Sequence, residues 1–147
     1  MDGPVALDLD GFHPRAVDKV RRLLTVLDAI NADRTLAPRV CLHGGTALNL
    51  FVLGAPRLSV DIDLNYVAAT DVAQMRAERP GLEQALLDVA EGLGLAAVPG
   101  KSEHSGRSKL RFQGVSALPG QRSSVLAATC RAVGTARHTV ARLPNVR

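Results

Sequence analysis

At 147 residues, the chain is long enough for one domain with a real core and too short for two comfortable ones. Apolar residues make up 46% and charged residues 22%, proportions that argue against disorder, and no run approaches the roughly 20 apolar residues of a membrane-spanning helix. The net charge of +4 is unevenly spread: no acid follows Glu103, while Arg107, Lys109, Arg111, Arg122, Arg131, Arg137, Arg142 and Arg147 do, a one-signed segment suited to a nucleotide or nucleic acid.

The acidic start MDGPVALDLDG lacks the basic region of a signal peptide, so the expected location is the cytoplasm. Cys41 and Cys130 have no metal-like spacing and are expected to be inert thiols. From Pro14 to about Asn31, Val17, Val20, Leu23, Leu24, Leu27 and Ile30 recur at helical spacing. RVCLHGG then reads as a buried strand entering a glycine turn, and Thr46 to Gly54 as a short helix.

In SVDIDLNYV, Val60, Ile62, Leu64 and Tyr66 alternate with Asp61, Asp63 and Asn65, the period of a strand. A helix is predicted over Leu82 to Leu93, followed by strands in LAAVPG and SKLRFQGV. The expected fold is α/β in the broad sense (α+β), a short mixed sheet with flanking helices. Residues 1–121 form its core, and 122–147, aperiodic and acid-free, form a basic tail, degenerate or poorly ordered.

On a strand, Asp61 and Asp63 project from the same face, where they repel unless a cation lies between them. A hard divalent ion, Mg²⁺ or Mn²⁺, suits such a pair, because it takes one or two carboxylates and completes its shell with phosphate oxygens and water. The plain alternative is an exposed strand face that carries two acids. Gly44 and Gly45 end a strand and precede a helix, which offers backbone N–H groups and a positive dipole end to an anion, with Thr46 able to cap or to bind a phosphate oxygen. Alone, a glycine turn is a weak signal. Together the two features satisfy what nucleotidyl transfer requires, a phosphate turn within reach of metal-binding acids.

The string LHGGTALNLFVLGAPRLSVDIDLNY resembles the signature of the AbiEii/AbiGii toxin family, minimal nucleotidyltransferases of the polymerase β-like superfamily. Gly44, Gly45, Thr46, Ala47 and Leu48 match its first run, and Arg57, Ser59, Asp61, Asp63 and Leu64 its second. The resemblance implies a metal-dependent transfer of a nucleotide from an NTP to an acceptor such as tRNA. It implies a toxin with a cognate antitoxin, in a type IV system or a phage-defence locus. By the same resemblance Asp61 and Asp63 would hold Mg²⁺ or Mn²⁺, Gly44, Gly45 and Thr46 would cradle the triphosphate, and Lys109 would contact it.

Arg57 could reach a phosphate or be an ordinary exposed arginine after a proline; Ser59 could orient Asp61 or simply begin the strand. His43 is expected to be a strand-end histidine with a local hydrogen bond. The chain departs from the family pattern in having no acid after Glu103 for a third carboxylate. That leaves a second reading, an inactive truncated remnant that binds nucleotide, nucleic acid or a partner protein.

Overall fold

A computed structural model describes residues 8–54, 56–58, 61–68, 71–99, 107–113 and 126–132, with side chains described through residue 96 apart from Val72. Helix α1 spans Pro14–Ala32. His13 caps it, its ring nitrogen Nδ1 accepting the Arg15 N–H at 3.2 Å, and Pro14 occupies the first turn, where a missing N–H disrupts nothing. The periodic stripe is the buried one: Val20, Leu23, Leu27 and Ile30 face the core, joined by Val26, while Val17 and Leu24 are half-buried. Asp33 closes the helix, its Oδ1 accepting the N–H groups of Thr35 and Leu36 at 2.8 Å each, a turn that delivers Leu36 into the core.

Strand β1 (Val40–His43) leads directly into helix α2 (Gly44–Phe51), which begins two residues before the expected Thr46. Strand β2 (Ile62–Tyr66) alternates as its sequence does, with Ile62, Leu64 and Tyr66 buried. Helix α3 spans Val72–Gly92, starting well before the predicted Leu82. Its first half offers no apolar stripe to read, because Met75 is the one buried residue there among those described. The early start is fixed by a cap instead: the Asp71 carboxylate accepts the N–H groups of Ala73 at 3.0 Å and Gln74 at 3.3 Å.

Tertiary bonds hold this first half in place beyond Pro80, which removes one bond from the helical ladder. Glu78 accepts the buried Tyr66 hydroxyl at 2.8 Å, Arg39 Nε at 3.3 Å and Gln74 Nε2 at 3.1 Å. Hydrogen bonds from Gln74 and Tyr66, with Arg39 adding its charge, hold the Glu78 carboxyl below the usual range. Burial, and then Glu78 beside it, pushes the Tyr66 hydroxyl up.

Strands β3 (Ala96–Pro99), β4 (Arg107–Gln113) and β5 (Leu126–Ala132) complete a five-stranded sheet in the order β1-β2-β5-β4-β3. Only β2 and β5 run parallel; the other neighbours are antiparallel, so the sheet is mixed, as the sequence suggested. The core lies where α1, α3 and α2 meet the β1–β2 ladder, with Leu50, Leu42, Leu64 and Leu86 among its members. Strand β5 differs from the sequence reading, which left 122–147 outside the core: residues 126–132 stand in the middle of the sheet. LAATCRA gives neither a strand period nor a helical one, so its place is set by pairing with β2 and β4 and not by a readable apolar face. Among the described residues, no helix is long and apolar enough to cross a membrane.

Candidate active site

The β1–β2 ladder sorts its side chains by face. Val40 pairs with Tyr66 and Leu42 with Leu64 on the core side, whereas Cys41 pairs with Asn65 and His43 with Asp63 on the other. Ile62 is fully buried between an exposed Asp61 and a half-buried Asp63, so the two acids project away from the core together. Cys41 is buried, and burial raises its thiol while a backbone hydrogen bond from Asn65 opposes the shift. A thiol so placed is a poor nucleophile.

Gly44 joins the strand to the helix with φ +81°, a left-handed conformation that disfavours any Cβ. Space imposes a second constraint. A Cβ there would lie 2.7 Å from Asp63 Oδ2 and 3.5 Å from Asp63 Cβ and Cγ. The turn and the carboxylate strand are thus in direct contact, and the Asp63 charge sits at the positive end of α2. Gly45 presents its carbonyl to Asn49, whose Nδ2 donates to it at 2.7 Å.

Thr46 is buried, and its hydroxyl donates to the main-chain carbonyl of Asp61. That proton is committed to the strand, a pairing across fifteen positions that no local pattern in the sequence announces. Asn49 was not recognised in the sequence either, although its spacing of four from Gly45 on a helix is the signal that could have found it. His43 stands exposed at the end of β1 and makes no side-chain capping bond to α2.

Strand register carries the site across the sheet. His43 pairs with Asp63, Asp63 with Thr129, and Thr129 with Lys109, one row through β1, β2, β5 and β4. The Lys109 backbone therefore stands two strand spacings, each about 4.8 Å, from that of Asp63. Strand β5, which lies between them, has no acid in its sequence. Arg57 is exposed in the segment before β2, and Ser59 lies outside the described residues.

Two carboxylates on one face, with Asp63 packed against the Gly44 turn, are donors of the kind a hard cation takes. Among the described residues, no three His, Cys, Asp or Glu side chains converge. Two carboxylates match an ion that takes its remaining ligands from phosphate and water.

Residues 25–138 match the family model of the nucleotidyl transferase AbiEii toxin of type IV toxin–antitoxin systems. The chain belongs to the AbiEii family. The match runs from within α1 through β5, so the AbiEii domain includes the central strand that sequence reading had set aside. Membership implies an antitoxin as partner. Comparison with curated proteins gave no match. The Gly44–Asp63 contact lies inside the AbiEii match, as do Arg57, Ser59 and Lys109.

Proposed function

We propose that this AbiEii domain is a metal-dependent nucleotidyltransferase that moves a nucleotide from an NTP to an acceptor, with tRNA the first acceptor to test. The observation that supports the reading is the contact of Gly44 with the Asp63 carboxylate, which sets the glycine turn against the acidic strand. In the reaction an acceptor hydroxyl oxygen bonds to the α-phosphorus, the α–β phosphoanhydride breaks, and pyrophosphate leaves. Asp61 and Asp63 would hold Mg²⁺ or Mn²⁺, which when bound would neutralise phosphate charge and acidify the attacking hydroxyl.

Gly44, Gly45 and Thr46 form the turn whose backbone N–H groups receive the β and γ phosphates. Lys109 and Arg57 place positive charge against the triphosphate, and Ser59 orients Asp61. The toxin acts in the cytoplasm, in a phage-defence setting, and its antitoxin opposes it.

The test incubates the protein with each labelled NTP, Mg²⁺ and total tRNA, beside Asp61→Ala and Asp63→Ala. Label transferred by the wild type and lost in both variants supports the enzyme. A second reading, binding without transfer, is favoured by the acid-free β5 beside β2. Mg²⁺-dependent NTP binding with no transfer to any acceptor selects it.

A further inference from the structure

Among the described residues, Thr46 and Asn49 are polar and buried, at 1% and 5% exposure, and both stand on α2. Burial of a polar side chain is unfavourable unless it is hydrogen-bonded, so the place where a fold accepts it is informative. Here both bonds go to main-chain carbonyls of the proposed site, Thr46 to Asp61 and Asn49 to Gly45. Asp61 itself precedes β2, outside the β1–β2 ladder, which begins with the His43–Asp63 pair. The ladder therefore fixes Asp63 but not Asp61. The Thr46 hydroxyl ties the Asp61 backbone to the turn.

We infer that Thr46 is a positioning residue, whose hydroxyl sets the Asp61 carboxylate beside that of Asp63 for a divalent cation. This rests on the proposed metal-dependent reading. It assigns Thr46 a task distinct from phosphate contact: the hydroxyl acts through the Asp61 backbone, and only the strand's acids touch the ion. Hydrogen-bond partners that orient metal ligands typically govern affinity by about 10–100-fold.

The test titrates the full chain with Mn²⁺ alone, following free ion by electron paramagnetic resonance, in wild type, Asp61→Ala, Thr46→Val, Thr46→Ser and Thr46→Cys. Thr46→Val keeps the shape and removes the hydroxyl; it should weaken Mn²⁺ binding about tenfold. Thr46→Ser should bind like wild type, and Thr46→Cys, a weaker donor, should fall between. Ile30→Val, a mild core change far from the site in the chain, controls for lost stability and should leave affinity unchanged. Wild-type affinity in Thr46→Val overturns the inference, as does equal weakening in Thr46→Ser or in Ile30→Val. If wild type binds no more Mn²⁺ than Asp61→Ala, the metal reading itself fails, and the inference falls with it.

Discussion

Replacing Gly44 by alanine should expose the contact between the turn and the acidic strand as an energetic coupling. Two penalties fall on that alanine. One is conformational, the left-handed φ of +81°, which for a residue with a Cβ costs about 1–2 kcal/mol. The other is spatial, the 2.7 Å approach to Asp63 Oδ2, closer than real Cβ atoms come. Gly94 isolates the first penalty, since its φ is +69° and a Cβ there meets nothing within 4 Å. Gly94→Ala should therefore lower stability by about 1–2 kcal/mol, which at a urea slope of about 2 kcal/mol/M is a midpoint shift of about half to one molar.

Gly44→Ala should cost more than that. In an Asp63→Ala background the Oδ2 obstacle is gone, and only 3.5 Å contact with the Cβ of residue 63 remains, which is ordinary packing. The cost of Gly44→Ala should then fall back to that of Gly94→Ala. The double-mutant cycle should show a coupling of about 1 kcal/mol or more, within the range of about 0.5–3 kcal/mol expected for residues in contact. Urea unfolding of the four proteins in the cycle, plus Gly94→Ala, reads all terms. A Gly44→Ala cost that is the same with and without the Asp63 carboxylate would refute the contact.

Tyr66→Phe removes a hydrogen bond to Glu78, so the Glu78 carboxyl should titrate closer to its ordinary value, an upward move visible by side-chain NMR; no move denies the pairing. Because the Glu78 carboxyl is lowered in the fold, its stabilisation is full above the unfolded value and lost as pH falls through the folded one. Glu78→Gln should accordingly flatten the acid side of the stability profile, and an unchanged profile would count against it. Leu23→Ala, at a fully buried position of α1, should cost about 2–5 kcal/mol in urea unfolding. Pro80→Ala should raise the melting temperature, since an exposed proline inside α3 is replaced by a residue favoured in helices by about 3 kcal/mol; an unchanged or lower temperature would refute this.

The local periods were legible where one face of an element meets the core. Ile62, Leu64 and Tyr66 announced β2, and Val20, Leu23, Leu27 and Ile30 announced α1, because water on the opposite face enforces the alternation. The first half of α3 was not legible, since what holds it is a cap at Asp71 and a hydrogen bond from Tyr66 to Glu78. In the site, the glycine turn and the paired acids could be read as residue types at set spacings. Their mutual contact could not, because the left-handed Gly44 pressed on Asp63 is a product of strand pairing. Thr46 looked like a cap and instead bonds a carbonyl fifteen residues away, a partner that only the folded chain supplies.

The sheet order has a consequence for how the protein comes into being. Up to Gln113 the chain holds two separate ladders, β1 with β2 and β3 with β4, and two-stranded ribbons are marginal on their own. Strand β5, made last of the five, is the seam that joins them, parallel to β2 and antiparallel to β4. Only when it slots in does the row from His43 to Lys109 become continuous. On the ribosome, the acids and the lysine are synthesised early and remain strangers until residues 126–132 emerge, so a toxin of this design is assembled at its final stitch.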